Sequence, residues 1–261
     1  MAFEIRTTSR GSADVRGAQR LCRLLSDLET VKDRQKALYS TGDYSFWSNL
    51  FEPASDALID AADIGSGDRV LDVAAGNGNT ALAATRRNAV VTAIDTTPAQ
   101  IERGRRRAAA EGLTIEWREG DAEELPFPDG SFDSVVSSFG VVLEPRGDRA
   151  AAEMFRVVHP GGVVAATEWV RDGYFASVDA FEARFTPERS DDLLDGLTEE
   201  DAAARFGRHS ATVDVRREVL PVRFASAEQF WDEMRDRDPW ALRLRAELTA
   251  EQWEQSNSVS C

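Results

Sequence analysis

The spacing of hydrophobic residues changes at about residue 69. Before this point, apolar residues recur at helical spacing, as Leu21, Leu24, Leu25 and Leu28 do. After it, short apolar runs alternate with stretches of helical character. Continuous apolar runs of this length are typical of strands that are buried on both faces, as in a parallel sheet. These runs cover residues 69–74, 89–94, 114–118, 132–139 and 162–169.

The segments between these runs are predicted to be helices, over residues 80–87, 98–111 and 147–158. The helix at 98–111 has clear boundary signals: Thr97 is an N-cap, Pro98 takes the first helical position, and Gln100 completes a capping box. Gly112 follows its end. Strands and helices that alternate through right-handed crossovers build a doubly wound, Rossmann-like α/β sheet.

The flanking regions add helices and two more strands to this prediction. An alternating pattern over 211–225 predicts two strands, one of them antiparallel, which gives a mostly parallel sheet of seven strands. A polar turn followed by clustered aromatic residues occupies 42–53. Helices are expected over 18–28, 30–39, about 53–62, 174–185, 199–206 and 226–255. The predicted organisation is an N-terminal helical segment (1–62), a core (63–225) with a helical insertion at about 174–207, and a C-terminal helical tail (226–261).

Composition and charge indicate where the protein is located and which partners it binds. No stretch of the 261 residues approaches the roughly 18 apolar residues of a membrane span, and we expect no secretion signal and a cytoplasmic protein. Cys22 and Cys261 lie near opposite ends of the chain, so neither a disulfide framework nor a metal site is expected. The net charge of −15 argues against a nucleic-acid partner, because binding to phosphates needs a basic face. We expect no membrane partner and a monomer or homodimer.

A glycine loop closes the first predicted strand in the sequence VLDVAAGNGN (70–79). Glycine lets the backbone approach a ligand where a Cβ atom would clash. Gly76, Gly78 and Ala81 also satisfy the dinucleotide fingerprint, and Asp95 follows Gly76 by 19 residues, where a ribose-binding acid is expected. A nicotinamide-dependent oxidoreductase is therefore an alternative that the loop alone leaves open.

Three acids distinguish a methyl-donor site from a dinucleotide site. Asp72 lies four residues before Gly76, where a carboxylate would repel a pyrophosphate but attract a cationic ligand. Asp121 follows the third predicted strand, and no second glycine-rich half follows the first. With Asp95, these acids lie one after each of the first three strands. The set suits a cationic, unphosphorylated ligand such as S-adenosylmethionine, which carries a sulfonium, an ammonium and one carboxylate.

Residues 69–169 resemble the core of class I S-adenosylmethionine-dependent methyltransferases, the group that includes the ubiquinone/menaquinone-biosynthesis C-methyltransferases and many bacterial small-molecule enzymes. One departure is Ala74, where the family pattern usually has glycine. The resemblance implies transfer of a methyl group to a small-molecule acceptor, such as a natural-product or quinone-like metabolite, with S-adenosylhomocysteine as the product. Its landmarks are VLDVAAGNGN (70–79), AID (93–95), GDAEELPFPDGSFD (120–133), SSFGVV (137–142) and FRVVHPGG (155–162).

The resemblance also assigns the cofactor-binding residues. The methionine part is assigned to Asp72 and to the loop backbone at Ala74, Gly76 and Gly78. Asp95 is assigned to the ribose hydroxyls, or else it caps the next helix. The remaining assignments are Thr96, Asp121 and Ala122 at the adenine and Ser138 facing the methyl group, together with Tyr44 as a lid residue.

Aromatic residues are candidates for the lid and the acceptor pocket. The N-terminal segment forms a lid in similar enzymes, and Tyr44, Phe46 and Trp47 either close such a lid or pack the helices onto the core. Phe139 and Trp169, at the ends of the fourth and fifth strands, either line the acceptor pocket or belong to the core.

A catalytic base is not evident. Methyl transfer from a sulfonium is an in-line displacement that depends mainly on positioning and exclusion of water. Glu144 and Glu168 are weak candidates for a base, and His159 and His209 lie in turn or loop positions without a catalytic role. Methylation at oxygen, nitrogen or carbon stays open. So do a non-methylating step, such as cyclisation, and regulatory binding of the cofactor without turnover.

Overall fold

The computed structural model describes residues 30–40, 44–170, 198–210, 212–237, 239–251 and 253. The predicted helices at 18–28 and 174–185 lie outside this range, as do Cys22 and Cys261.

A five-stranded parallel sheet forms the centre of the described fold, in the order β3-β2-β1-β4-β5. Each strand corresponds to one of the five predicted apolar runs. In the central strand, Val70, Leu71 and Val73 are fully buried, which explains why its sequence is apolar on both faces. The strands are β1 (Arg69–Val73), β2 (Val90–Asp95), β3 (Glu116–Glu119), β4 (Phe132–Ser138) and β5 (Val158–Thr167).

Helices cover both faces of this sheet, and further helices precede and follow it in the chain. One apolar layer joins Leu58 and Ala81 to the sheet, and a second joins Met154 and Val157 to its other face. None of the described helices has the length and apolarity needed to cross a membrane. The helices are α1 (30–40), α2 (Ser45–Ala61), α3 (Asn79–Arg86), α4 (Pro98–Ala110), the 3₁₀ turn Val141–Leu143, α5 (Gly147–Val157), α6 (Glu199–Gly207), α7 (Ala227–Arg237) and α8 (Pro239–Glu247).

Helix α2 begins earlier than the sequence predicts. It begins at Ser45, so the aromatic residues belong to the helix and Pro53 lies inside it. Trp47, Phe51 and Leu58 are buried on one side of this helix. Burial of this apolar stripe outweighs the one backbone hydrogen bond that a proline removes.

The start of α4 is confirmed, but its capping box is not. Thr97 is the N-cap and Pro98 follows it, yet no side chain caps the helix. The Thr97 hydroxyl bonds to Asp95 instead. The Gln100 side chain donates to the carbonyl of Tyr39 in α1, at 3.0 Å, because a tertiary partner is within reach.

The two strands expected over 211–225 are not formed in the part that the structure describes, residues 212–225, so the described sheet has five parallel strands and no antiparallel one. Val219 is 84% exposed, and Arg216 pairs locally with Asp214 at 2.6 Å. Leu220 and Phe224 pack against the aromatic residues of neighbouring helices. Alternation indicates a strand only where a neighbouring strand pairs with it, and the described segment has no such partner.

Candidate active site

A cleft lies where the strand order reverses, between the carboxyl ends of β1 and β4. Ligands of open α/β sheets bind at this position. The cleft opens to solvent, and the space between its walls, open solvent included, is about 880 Å³. Its lining includes nine residues that the sequence singled out: Tyr44, Asp72, Ala74, Gly76, Asp95, Thr96, Ser138, Phe139 and Glu144.

The glycine loop follows β1 and is fixed by backbone bonds to β2. The N–H of Ala75 donates to the carbonyl of Ile94 at 3.0 Å. The loop turns through left-handed conformations, with φ of +53° at Ala74, +55° at Gly76 and +89° at Gly78. A left-handed alanine costs about 1 kcal/mol, which accounts for the family's glycine at position 74. A Cβ atom on Gly140 would lie 2.6 Å from the Cβ of Ala74, so that glycine leaves room for the alanine.

Gly78 shapes the loop from behind rather than lining the cleft. It is the N-cap of α3, and a Cβ atom there would collide with the indole ring of Trp117. Glycine is therefore required at position 78 both by the left-handed backbone and by the close approach of the Trp117 ring.

Asp72 is a buried carboxyl group, 1% exposed, at the floor of the cleft. Its Oδ2 accepts the N–H of Ala81 at 2.8 Å and so caps α3, whose own N-cap residue, Gly78, has no side chain. Its Oδ1 has no hydrogen-bond partner among the described residues. Burial raises the pKa of Asp72 to about 8. A ligand that brings a cationic donor to Oδ1 would satisfy this group and, by favouring its ionised form, would lower the raised pKa.

Asp95 ends β2 and holds the loop with its carboxylate. Oδ2 accepts the N–H of Gly76, and Oδ1 accepts the N–H of Thr97, both at 2.8 Å. Burial raises its pKa, although these bonds oppose the shift. With the Thr97 hydroxyl, the carboxylate accepts three bonds, and its remaining acceptor capacity can receive a ribose hydroxyl.

Asp121 and Ala122 lie outside the cleft lining. Both carboxylate oxygens of Asp121 accept from Lys32 in α1, at 2.8 and 2.7 Å. The same ammonium group lies 2.8 Å from the fully buried Glu123 and 3.6 Å from Glu144. Burial disfavours the charge on Lys32, but its carboxylate partners together raise its pKa. The adenine role of Asp121 stays a prediction. Adenine would have to bind next to the ion pair between Asp121 and Lys32.

The two candidate bases have different positions. Glu144 lines the cleft, and burial raises its pKa to about 7. Glu168 is not among the lining residues and lies 3.5 Å from Arg205 of α6. Burial also raises the pKa of Glu168, against the nearby guanidinium.

An aromatic cluster stands beside the cleft. Phe139 lines it with a left-handed backbone, φ +56°, and stacks on Trp169 with ring centres 3.9 Å apart. Trp47 stacks on Phe51, and Phe46 contacts the edge of Trp47. Phe46, Trp47 and Trp169 are absent from the lining, so the structure places them in the packing behind the cleft wall.

Sequence reasoning missed one wall of the cleft. Helix α1 contributes Gln35, Lys36 and Tyr39, which share a helical face with Lys32. The available signal was that Lys32 and Lys36, one turn apart, are the two lysines of the whole chain. The other missed lining residues are Ser48, Phe51, Ser55, Ala75, Asn77, Asn79, Thr80, Thr97, Gln100, Gly140 and Leu143.

The residues present fit S-adenosylmethionine. Among the described lining residues Lys36 is the single basic one, and it is bonded to Glu119 at 2.8 Å. A pyrophosphate would find little positive charge there, whereas the unpartnered Oδ1 of Asp72 suits an ammonium donor.

Comparisons with known proteins agree with this chemistry. The methyltransferase-domain family matches residues 70–162. An uncharacterised protein of Mycobacterium tuberculosis (strain ATCC 25618 / H37Rv) is 36% identical over 202 residues, 72% of this chain and 74% of the relative. A protein of Clavibacter sepedonicus named demethylmenaquinone methyltransferase is 35% identical over 160 residues, 58% of this chain and 61% of the relative. The chain spans 61% of the length of the mycobacterial relatives that it matches at 39% identity.

A solved structure supports the fold. The YcgJ protein from Bacillus subtilis superposes with a TM-score of 0.55 at 23% identity, covering 77% of this chain and 87% of that protein. At this identity the likeness concerns the fold alone. From the matched family, the named relative and the acid-lined cleft, we conclude that the chain belongs to the class I S-adenosylmethionine-dependent methyltransferases, whose cofactor is S-adenosylmethionine.

Proposed function

We propose that the protein transfers a methyl group from S-adenosylmethionine to a small-molecule acceptor. The observation that carries the proposal is the unpartnered, buried Oδ1 of Asp72 in a cleft that Asp95 also lines. A buried acceptor without a partner is unfavourable until a donor reaches it. The ammonium group of the cofactor supplies such a donor, and the cofactor supplies an activated methyl group for in-line displacement.

The roles of the chain's residues follow from their places in the cleft. Asp72 binds the ammonium group and Asp95 binds the ribose hydroxyls. Ser138 and Phe139, at the end of β4, form the side of the cleft that faces the acceptor. Helices α1 and α2 limit access of water. Alignment of this kind can contribute on the order of 7–11 kcal/mol to the lowering of the barrier.

For an acceptor that must lose a proton, we assign Glu144 rather than Glu168 as the accepting carboxylate. Glu144 lines the cleft and its pKa is near 7, which suits proton uptake at neutral pH. The acceptor class that we propose is a small, unphosphorylated metabolite, since Lys36 is the single basic residue among the described lining and already binds Glu119. We propose no nucleic-acid or membrane partner.

Calorimetry with S-adenosylmethionine, S-adenosylhomocysteine and NADH tests the cofactor. We expect the first two to bind and NADH not to bind. Asp95→Ala should weaken binding about 10- to 100-fold, the loss expected for hydrogen bonds to a charged acceptor. Asp133→Ala is the control, because Asp133 pairs with Arg69 at the opposite edge of the sheet, at 2.8 Å. Binding of NADH alone would identify an oxidoreductase.

Turnover of methyl-labelled cofactor with a panel of small acceptors tests the transfer itself. A labelled acceptor supports the proposal. Binding of the cofactor without transfer to any acceptor would instead indicate a non-methylating enzyme, such as a cyclase, or a regulatory binder.

A further inference from the structure

Arg107 of α4 reaches the glycine loop from outside the cleft. Its Nη1 lies 3.0 Å from the backbone carbonyl of Asn77, 2.9 Å from Asn77 Oδ1 and 2.7 Å from Asn79 Oδ1. Its Nη2 lies 3.2 Å from Glu52 of α2. Arg107 is not among the cleft-lining residues, whereas both asparagines are. The guanidinium therefore contacts the loop on the side away from a ligand.

Both asparagines are held from two directions. Their amide oxygens accept from Arg107, and their amide nitrogens donate to Ser48 of α2. Asn77 Nδ2 lies 2.5 Å from Ser48 Oγ, and Asn79 Nδ2 lies 2.7 Å from the Ser48 carbonyl. These bonds fix the orientation of each amide group and join the loop to two helices.

The chemistry of the contact requires arginine. The guanidinium side chain is one-quarter exposed, and a charged donor in such surroundings makes stronger hydrogen bonds than a neutral one. Its planar fork spans acceptors on two residues and Glu52 together. A lysine ammonium is a point charge and cannot reach all of these acceptors from one position.

The loop's conformation matters because its backbone must approach a ligand closely. The left-handed turns at Gly76 and Gly78 flank Asn77, whose carbonyl Arg107 binds. A loop that is free to leave this conformation has to be ordered when a ligand binds, and this lowers affinity.

We propose that Arg107 is a positioning residue that holds the glycine loop in its cofactor-binding conformation. The inference rests on the proposed function. It goes beyond it by assigning a role in cofactor affinity to a residue that touches neither cofactor nor acceptor.

The test compares Arg107→Met and Arg107→Lys with Arg86→Met. Arg86 is the matched control, because its side chain pairs with Glu111 at 2.7 Å and with Glu52 at 3.6 Å but makes no described bond to the loop. The readouts are the dissociation constant of S-adenosylhomocysteine by calorimetry and the midpoint of thermal unfolding.

We expect Arg107→Met to raise the dissociation constant about tenfold or more. Arg107→Lys should restore part of the affinity, and Arg86→Met should leave the affinity unchanged even where it lowers the midpoint. If Arg107 had a merely structural role, its substitution would lower the midpoint but would leave the affinity equal to that of Arg86→Met. Wild-type affinity in Arg107→Met would overturn the inference.

Two further outcomes are decisive. If Arg107→Met does not fold, Arg107→Lys decides: an affinity below that of Arg86→Met supports the role, and an equal affinity overturns it. If the wild-type protein itself binds no S-adenosylhomocysteine, the proposed function fails, which is distinct from a failure of this inference.

Discussion

Replacing Asp72 with asparagine removes a buried carboxyl group and keeps an oxygen that can accept the Ala81 N–H bond. Burial raises the pKa of Asp72 from 3.8 to about 8. Between these values the unfolded chain has released the proton while the folded chain retains it. The folded state then binds more protons, so the stability contributed by this group falls as the pH rises and stops falling above about pH 8.

The size of this effect follows from 1.36 kcal/mol for each pKa unit. From pH 6 to pH 9 the folded protein passes through the pKa of Asp72, and the loss of stability amounts to about 2.7 kcal/mol. Glu144, with a pKa of about 7, contributes a smaller loss in the same direction. The quantity to measure is therefore the difference between wild type and Asp72→Asn at each pH, with Glu144→Gln as the control for the smaller effect.

Urea denaturation at pH 6 and pH 9 measures this difference. We expect Asp72→Asn to gain about 2–3 kcal/mol relative to wild type between the two values, and calorimetry should show weaker binding of S-adenosylhomocysteine. A stability profile of Asp72→Asn parallel to that of wild type would refute the reasoning, because the raised pKa would then not reside in this carboxyl group.

Two other substitutions test the packing around the cleft. Lys32→Met should lower the free energy of unfolding in urea by about 3 kcal/mol, because it leaves the buried Glu144 without its cation and Glu123 with Arg146 alone. Lys36→Met, at a more exposed pair, should lower it by less than about 1 kcal/mol. Gly78→Ala should lower the thermal midpoint more than Gly67→Ala does. Both positions have φ near +90°, but only at Gly78 would the new Cβ atom meet the Trp117 ring. Equal effects within either pair would contradict the described contacts.

The sheet and the acids around it could be predicted from local sequence. The run VLDV becomes β1 because its apolar residues are buried on both faces, and Asp72 and Asp95 enter the cleft because parallel strands end at the same edge. These features depend on hydrophobic periodicity and on the alternation of strands and helices, both of which can be seen in the local sequence.

Contacts between distant segments could not be predicted in this way. Lys32 bonds to Asp121, 89 positions away in the sequence. The Gln100 side chain donates to the Tyr39 carbonyl instead of capping its own helix. Helix α2 continues through Pro53 because of tertiary burial, whereas a local rule places a boundary there. Each difference arises where a long-range partner outweighs a local preference.

The contact between Ala74 and Gly140 constrains which substitutions this chain can accept at the two positions. A Cβ atom at position 140 would lie 2.6 Å from the Cβ atom of Ala74 and 2.8 Å from its backbone carbonyl. Position 140 is thus barred from gaining a side chain even when position 74 is glycine, whereas alanine at 74 is tolerated only beside a glycine at 140. Removing the Ala74 side chain would therefore not make room for one at position 140, because the carbonyl of residue 74 would still lie in its way.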